Sequence, residues 1–214
     1  QTVGTLIYTS GTTGPPKAVM LTHGNLAWSS AMLCEMFDSR PGDRTLSYLP
    51  IAHVAEQQSS VHNHVTSGAT MYFARSMEQL AEDLQGSRPT VFFGVPRVWE
   101  KMHETLRSRL AEATGTKAKL AAWAMNTSKE WHRQTMEGKS PGAVLNLQKS
   151  LADTLVLKKI KDALGLDEAR LLISGAAPIS PEVLWFFAGL DLILYEGYGQ
   201  SETSAPTAFS RPGA

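Results

Sequence analysis

The residues from Tyr8 to Lys17 have the composition of a loop that binds phosphate. Their sequence is Tyr-Thr-Ser-Gly-Thr-Thr-Gly-Pro-Pro-Lys, in which small hydroxyl residues alternate with glycines. Such a loop leaves backbone N–H groups and hydroxyls free to surround phosphate oxygens. Lys17 adds a compact positive charge that can reach the same oxygens. The candidate phosphate ligands are Thr9, Ser10, Gly11, Thr12, Thr13, Gly14 and Lys17.

This loop differs from the P-loop of kinases and GTPases. A P-loop ends in Gly-Lys-Ser or Gly-Lys-Thr and opens directly into a helix. Here two prolines follow Gly14, and the apolar residues after Lys17 are typical of a strand. Because apolar strands flank the run on both sides, a flexible surface linker is also disfavoured. The sequence therefore predicts a strand–loop–strand phosphate site.

The segment Tyr8–Lys17 resembles the signature of the adenylate-forming superfamily of acyl-CoA synthetases, luciferases and nonribosomal-peptide adenylation domains. Ala18 stands where that family usually has glycine, but it follows the loop and should be tolerated. The resemblance implies that the chain binds ATP with Mg²⁺ and yields AMP. In the ligases of this superfamily, coenzyme A is the second substrate.

Two further motifs agree with this resemblance in order and spacing. Tyr48–His53 resembles the motif at the acyl site, which implies that His53 and Val54 lie near the reacting carboxylate. Ser174–Pro178 follows an apolar strand and resembles the small-residue turn beneath the adenine, where small side chains let the backbone approach a flat base. The residues implied in that turn are Gly175, Ala176 and Ala177.

Glu196–Thr203 resembles the Tyr-Gly-x-Thr-Glu motif of the same superfamily, with Ser201 in place of threonine. The resemblance implies that Tyr198 stacks on adenine and that Ser201 hydrogen-bonds the α-phosphate or the carboxylate. It also implies that Glu202 binds Mg²⁺, for which a carboxylate is a suitable hard ligand, with Thr9 as a second residue near the metal. The predicted catalytic residues are Lys17, His53, Ser201 and Glu202. The remaining nucleotide contacts are Glu196, Gly197 and Gly199.

The segment Phe92–Met102 resembles the long-chain fatty acyl-CoA synthetases in particular, and the bubblegum-type subgroup among them. A long helical pattern follows it, and we interpret residues 101–170 as a helical insertion typical of long-chain members. Residues 1–214 would then form part of the large N-terminal AMP-binding domain, without the C-terminal domain. The superfamily's ribose aspartate, hinge arginine and mobile lysine would all lie downstream.

Other kinds of site are poorly supported. Gly199–Thr203 lacks the final glycine of a Gly-x-Ser-x-Gly nucleophile elbow. His62 and His64 could form a metal cluster with His53, but no fourth ligand occurs at a recognisable spacing. Cys34 lies on the apolar face of a predicted helix, which favours a structural thiol over a catalytic one.

The pattern of apolar residues predicts an α/β domain with layered sheets and helices on both faces. Short β-branched or aromatic runs alternate with longer segments of helical period. The predicted strands are Thr5–Thr9, Ala18–Leu21, Thr45–Leu49, Ala69–Phe73, Thr90–Phe93, Leu171–Ser174 and Leu192–Tyr195. The predicted helices are Asn25–Phe37, Val54–Thr66, Met77–Gln85, Arg97–Glu112, Lys117–Glu137, Val144–Leu164 and Pro181–Ala188. Gly138–Gly142 is predicted to be a turn between two helices.

Composition sets broader limits. The formal net charge is zero, which gives no sign of nucleic-acid binding. A single cysteine fits a reducing compartment such as the cytoplasm, and we expect neither a signal peptide nor a membrane-spanning run. However, residues 101–170 hold 13 lysines and arginines against 8 aspartates and glutamates. With Trp123 and Trp131 on the same helices, this excess predicts peripheral contact with a membrane. A solvated face with both tryptophans packed inward remains the alternative.

The resemblance implies ligation in two steps. A fatty carboxylate attacks the α-phosphorus of ATP and releases pyrophosphate, and the coenzyme A thiol then displaces AMP from the acyl-adenylate. Two other functions stay open: adenylation of an aryl, amino or shorter acyl acid, and nucleotide binding without catalysis. We expect the 214-residue chain alone to be inactive, because the residues implied downstream would be missing.

Overall fold

The computed structural model describes residues 2–10 and 14–210. The chain begins with an antiparallel hairpin of β1 (Val3–Thr9) and β2 (Lys17–Thr22). Helix α1 (His23–Met36) follows at once and starts with a capping box. The Asn25 N–H donates to the Thr22 hydroxyl at 3.2 Å, and the Thr22 N–H donates to the Asn25 side-chain oxygen at 3.0 Å. This reciprocal pair satisfies two backbone donors and fixes the direction in which α1 leaves the hairpin.

A second unit consists of two parallel strands and the helix that joins them. Strands β3 (Arg44–Ser47) and β4 (Thr70–Phe73) pair in parallel. The connecting helix comprises α2 (Val54–Glu56), a π-helical segment (Gln57–His62) and α3 (Asn63–Ser67). It ends at Gly68, whose φ of +69° suits a residue without a side chain.

The largest sheet has the strand order β5-β6-β7-β8. Its members are β5 (Val91–Gly94), β6 (Leu171–Gly175), β7 (Leu194–Gln200) and β8 (Ala205–Phe209). The first three strands are parallel and β8 is antiparallel to β7. Strand β3 continues this layer, because the Thr90 N–H donates to the Arg44 carbonyl at 2.9 Å.

Helices make the connections between these strands. Helix α4 (Leu80–Ser87) joins β4 to β5, and α9 (Pro181–Gly189) joins β6 to β7. Between β5 and β6 lie α5 (Pro96–Glu112), α6 (Gly115–Met136), α7 (Ala143–Ala152), a π-helical segment (Asp153–Leu157) and α8 (Lys158–Leu164). Within the described residues, no helix is both long enough and apolar enough to cross a membrane.

An aromatic group forms the centre of the main core. Phe92, Trp99 and Phe187 are fully buried and meet edge to face, with ring centroids 5.4 and 5.3 Å apart. The Trp99 indole N–H donates to the Gly94 carbonyl at 3.0 Å, which satisfies its buried donor. These rings join β5, α5 and α9. The core therefore holds the end of β5 against α5, the first helix of the long connection.

The predicted α/β class is confirmed, and all seven predicted strands form. The main differences concern two strand boundaries, one further strand and the regularity of two helices. Strand β8 was not predicted, and β7 begins at Leu194 and runs on through Gln200. The predicted β3 residues Tyr48 and Leu49 lie beyond the strand, which ends at Ser47. Two of the predicted helices, 54–66 and 144–164, contain π-helical segments.

Trp123 and Trp131 both face the protein interior. Trp123 packs beside the buried cluster of Ala124, Ala152 and Leu157. Trp131 is half-buried, and its indole N–H donates to the Asn146 side-chain oxygen at 2.8 Å. The structure therefore favours the alternative in which these tryptophans pack inward, since both join α6 to the helices packed against it, and contact with a membrane stays a prediction.

Candidate functional site

A cavity of about 220 Å³ lies where the three units of the fold meet. Its apolar wall consists of side chains from α1, β3, β5, β6 and β8, including Phe37, Leu46, Phe93, Ile173 and Phe209. One side of the helix that begins at Val54 forms another wall, and the end of β7 with the turn after it forms a third. An apolar cavity with few polar groups at its boundary is the usual form of a small-molecule site.

The cavity gathers predicted site residues from three separate motifs. Between His53 and Gly197 lie more than a hundred residues of chain, yet both motifs reach the same cavity because β3 and β5–β7 form adjoining parts of one layer. The predicted residues on its wall are His53, Val54, Ala176, Gly197, Tyr198, Gly199 and Ser201. Gly175, Ala177, Glu196 and Glu202 adjoin these residues in the chain but do not line the cavity.

His53 caps the helix that forms one wall of the cavity. Its Nδ1 accepts a hydrogen bond from the Ala55 N–H at 3.2 Å. The backbone N–H of His53 donates to the Pro50 carbonyl at 2.9 Å. Because Nδ1 acts as an acceptor, the neutral ring carries its proton on Nε2. The ring is exposed and lines the cavity, so Nε2–H remains available as a donor to a bound group.

Tyr48 and Val54 hold this motif against the rest of the protein. The Tyr48 hydroxyl accepts a hydrogen bond from the Val95 N–H at 2.9 Å, and burial raises the pKa of its phenol. Val54 is buried with Ile7, Leu21 and Leu26, so the start of the helix packs on the β1–β2 hairpin. The segment that carries His53 is therefore anchored on both sides.

Two glycines of the predicted nucleotide site allow close backbone contacts. A Cβ on Gly175 would lie 3.0 Å from the Gly197 carbonyl oxygen and 3.0 Å from the Phe93 ring. A Cβ on Gly199 would lie only 1.6 Å from the Ala205 carbonyl oxygen, at the irregularity in the β7–β8 pairing. Small residues here bring the ends of β6 and β7 together and let β8 fold back across the cavity.

The turn after β7 carries Ser201 and Glu202. It forms a single 3₁₀ turn, Ser201–Thr203, and the Ser204 carbonyl accepts a hydrogen bond from the buried Ser29 hydroxyl at 3.2 Å. Ser201 is half-buried on the cavity wall, whereas Glu202 is exposed. Ser204 has a φ of +62°, a strained conformation for a residue with a side chain. The bond from Ser29 on α1 helps to hold this turn in place.

The predicted phosphate loop joins two paired strands, as its sequence indicated. Thr9 ends β1 and pairs with Lys17 at the start of β2, and the Thr9 hydroxyl lies 3.4 Å from the Lys17 carbonyl oxygen. Ser10, Gly14 and Lys17 are exposed, and Lys17 forms no ion pair with a described residue. Gly11, Thr12 and Thr13 lie outside the described residues. The turn Ser201–Thr203 packs against β2, which brings the two strongest motifs to one side of the molecule.

The residues at this side fit a metal that arrives with the nucleotide. Glu202 offers one exposed carboxylate, and no group of three or more His, Cys, Asp or Glu residues in the described chain could hold a metal by itself. Mg²⁺ commonly binds through one or two protein carboxylates while phosphates and water complete its shell. The arrangement suits a magnesium–nucleotide substrate.

The sequence did not identify part of the cavity. Phe209 and Pro206 belong to the strand β8 that was not predicted, and Phe93 lies on the cavity side of a strand whose neighbour Phe92 enters the core. Alternation along Val91–Gly94 would have separated Phe92 from Phe93, since successive side chains of a strand point to opposite faces. The buried polar residues Glu56 and Gln58 also line the cavity.

Cys34 is half-buried, and its thiol lies 3.2 Å from the Asn63 side-chain oxygen. Burial raises its pKa, which keeps the thiol protonated and fits the structural role that its position on α1 predicted. Cys34 is not among the residues that line the cavity.

Comparison with known proteins gives a consistent result. A family model described as AMP-binding enzyme matches residues 1–214. The long-chain-fatty-acid–CoA ligase ACSBG2 of Xenopus laevis is 41% identical over 217 residues, and the match covers 98% of this chain and 29% of that protein. The chain thus spans less than a third of the length of this relative.

Solved structures share the fold. The O-succinylbenzoate coenzyme A synthetase MenE of Bacillus subtilis, in complex with AMP, has a TM-score of 0.65 and 18% identity, with 98% of this chain and 32% of that chain covered. The A domain of a carboxylic acid reductase from Segniliparus rugosus, with AMP and a co-purified carboxylic acid, has a TM-score of 0.62 and 26% identity over 98% of this chain and 29% of that chain. The agreement of sequence, motifs and fold leads to one conclusion: the chain belongs to the AMP-binding enzyme family.

Proposed function

We propose that this chain forms the nucleotide- and acyl-binding part of an ATP-dependent long-chain fatty acid–CoA ligase. One observation carries the proposal: the apolar cavity collects His53, Ala176 and the Gly197–Ser201 segment at its boundary. Apolar walls suit a hydrocarbon chain, and the polar boundary suits its carboxylate and the nucleotide. The relative from Xenopus laevis is named as a ligase of this kind.

The chemistry follows in two steps. An oxygen of the fatty carboxylate attacks the α-phosphorus of ATP, the bond to the β-phosphate oxygen breaks, and pyrophosphate leaves. The thiol of coenzyme A then adds to the acyl carbonyl, loses its proton, and expels AMP from the mixed anhydride. Because an anion attacks a polyanion in the first step, positioning and charge neutralisation are the main demands on the protein.

Different residues of this chain are suited to the phosphates, the metal ion, the carboxylate and the adenine. Lys17 and the donors of the β1–β2 loop are suited to the phosphates, and Glu202 to the magnesium ion that accompanies them. Mg²⁺ supplies neutralisation of the phosphate charge when it is bound. The Nε2–H of His53 and the hydroxyl of Ser201 are suited to the carboxylate and the α-phosphate, while the exposed ring of Tyr198 offers a face to the adenine.

A substrate series with the full-length enzyme tests the proposal. We expect ATP-dependent pyrophosphate release with long unbranched acids, and much less with aryl, amino and short acyl acids. Ala55, on the cavity wall, is replaced by Trp to fill the cavity, and exposed Ala122 on α6 is replaced by Trp as a matched control. Ala55→Trp should reduce release with long acids more than with short ones, and Ala122→Trp should not. Preference for aryl or amino acids, or long-chain turnover unaffected by Ala55→Trp, would contradict the proposal.

We also propose that α7 and the π-helical segment that follows it contact an anionic lipid surface that supplies the acid. Val144, Leu147, Leu151 and Leu155 recur at helical spacing and are 47–72% exposed. Lys158 and Lys159, at the start of α8, are exposed one turn further along the chain. An apolar stripe that ends in basic residues suits a helix lying in a lipid interface, where each basic residue near an anionic surface contributes about 1 kcal/mol. The enzyme would then be cytoplasmic and peripheral to a membrane.

A further inference from the structure

Gln58 is a buried polar residue on the wall of the cavity. Only 2% of its surface is exposed, and neither the oxygen nor the nitrogen of its amide has a hydrogen-bond partner among the described residues. A buried amide without partners is unfavourable, and native proteins retain few of them. Its position on the cavity wall provides a reason to keep it, because a bound molecule can supply the missing partners.

The polar neighbours of Gln58 along the helix are already engaged with one another. The buried Glu56 carboxylate accepts hydrogen bonds from the Ser47 hydroxyl and, at 2.5 Å, from the Ser60 hydroxyl. The Ser59 hydroxyl donates to the Ala55 carbonyl at 2.9 Å. These side chains form a polar strip along one wall of an otherwise apolar cavity, and Gln58 is the member of the strip whose amide is unsatisfied.

The backbone around Gln58 departs from a regular helix. Gln57–His62 is π-helical between the α-helical segments Val54–Glu56 and Asn63–Ser67. A π-helical turn inserts a residue into the helix and costs backbone hydrogen-bond geometry, and it frequently occurs at functional sites. Here it lies within the segment that contributes Gln58, Ser59 and Ser60 to the cavity wall.

We infer that Gln58 determines specificity within the acyl cavity by hydrogen-bonding a hydroxyl group carried on the hydrocarbon chain of the acid. This inference rests on the proposed function, in which the cavity holds the acyl group. A hydroxyl both donates and accepts, so it can pair with the amide oxygen or with the amide nitrogen of Gln58, which a saturated chain cannot. A site built to hydrogen-bond a substrate group discriminates strongly against the analogue that lacks it. The preferred substrate class is a long-chain hydroxy acid.

The test compares matched acids with the full-length enzyme. A saturated acid and a set of hydroxy acids of the same length, with the hydroxyl moved along the chain, are assayed for ATP-dependent pyrophosphate release. In the wild type, kcat/KM for at least one hydroxy acid should exceed that for the saturated acid by roughly tenfold or more. In Gln58→Leu, the ratio of kcat/KM for the hydroxy acid to that for the saturated acid should fall to about one or below. Gln57→Leu makes the same change at a neighbour that does not line the cavity and should leave the ratio unchanged.

Each outcome decides one question. If the wild type uses the saturated acid better than every hydroxy acid, the inference is wrong, whether or not Gln58→Leu folds. An equal ratio in the wild type, Gln57→Leu and Gln58→Leu also overturns it, and would indicate that water occupies the polar strip. If no fatty acid of either kind supports pyrophosphate release, the proposed function itself fails.

Discussion

Glu202 is exposed on the turn that follows β7, and it forms no hydrogen bond or ion pair with a described residue. A carboxylate held in this way contributes little to the fold, yet its turn packs beside β2, the strand that begins at Lys17. Its charge is therefore available for a metal bound to the phosphates. This separation between folding and function makes Glu202 the most direct residue to test.

Glu202→Gln in the full-length enzyme should reduce adenylate formation about 10²-fold, or about 3 kcal/mol, while the fold stays intact. The substitution removes the charge that would hold Mg²⁺ but keeps the shape of the side chain. Pyrophosphate release at saturating Mg²⁺ measures the effect. Glu182→Gln is the control, since Glu182 is an exposed carboxylate on α9 that pairs with Arg107 outside the cavity. Near-normal release by Glu202→Gln would show that another residue holds the metal.

Gly199→Ala should damage both stability and activity. The new Cβ would lie 1.6 Å from the Ala205 carbonyl oxygen, so β8 would have to separate from β7 at the cavity wall. We expect a loss of about 2 kcal/mol or more in the free energy of unfolding, measured by urea denaturation. Gly86→Ala in α4 is the matched control, because its Cβ would meet no atom within 4 Å.

Helical propensity predicts that Gly86→Ala raises stability slightly, by about 0.5–1 kcal/mol. Equal effects of the two substitutions would mean that the contact between Gly199 and β8 is not a constraint on the fold.

At the scale of elements, one partly buried carboxylate links the helices of the long connection. Asp191, after α9, lies 2.8 Å from His132 Nε2 on α6, 2.8 Å from Lys149 Nζ on α7 and 3.0 Å from Lys161 Nζ on α8. Burial alone would raise the pKa of Asp191, but the hydrogen bonds from His132 and Lys149 and the charges of Lys149 and Lys161 lower it well below its usual range. Three helices thus share one anionic contact.

Asp191→Asn should lower the free energy of unfolding by about 3 kcal/mol at neutral pH, because it leaves the largely buried Lys149 ammonium without the anion it pairs with and removes one of the two anions beside Lys161. The difference between wild type and variant should shrink as the pH falls below about 4. In that range the unfolded aspartate takes up a proton more readily than the folded one, so the wild type loses its advantage.

Urea denaturation across a pH series measures this difference. Asp162→Asn is the control, since Asp162 is 62% exposed and its ion pair with Arg88 should contribute less than about 1 kcal/mol. A difference between wild type and Asp191→Asn that is independent of pH would contradict the role assigned to the charge.

The sequence predicted most elements because local pattern determines them. The apolar runs of β5 and β6 and the capping residues of α1 and α9 act within a few positions of the chain. Strand β8 escaped prediction because pairing with β7 defines it, and that pairing depends on Gly199 and on the turn Ser201–Thr203. The π-helical segment at Gln57–His62 likewise has no simple local signal.

The residues of the candidate site also fall into those with a local sequence signal and those without one. His53, Tyr198 and Ser201 could be identified because they belong to motifs with fixed spacing. Phe93, Gln58 and Phe209 could not, because they reach the cavity only through the packing of distant elements. Prediction from the sequence therefore named residues at the boundary of the cavity but not those that form its apolar walls.

At the scale of the whole molecule, the excess of basic residues in 101–170 has two components. Lys149 and Lys161 pair with Asp191, and Arg170 binds the buried Asp43 and donates to the Phe37 carbonyl at 2.8 Å. These residues hold elements together and are not free to meet a partner. Lys158 and Lys159 are exposed, and they continue the apolar stripe of α7. The local sequence charge thus overstates the surface that is available to lipid.

The full-length enzyme should sediment with anionic vesicles at low salt, through the stripe on α7. Replacing Leu147 and Leu151 by Ser should weaken binding at every salt concentration, because it removes two exposed apolar side chains. Leu147 is 64% exposed and Leu151 is 47% exposed. Replacing Lys158 and Lys159 by Gln should weaken binding mainly at low salt, since screening already reduces their contribution at high salt.

The same charge change on α5, at exposed Lys101 and Arg109, is the matched control. Lys161 is left intact, because its substitution would break the contacts with Asp153 and Asp191 and confuse folding with binding. Two results would show that α7 does not contact lipid. One is that the enzyme stays in solution with anionic vesicles at low salt. The other is that replacing Lys101 and Arg109 weakens binding as much as replacing Lys158 and Lys159. The exposed leucines would then indicate a contact with a protein partner, because an apolar stripe of this length is unfavourable in water.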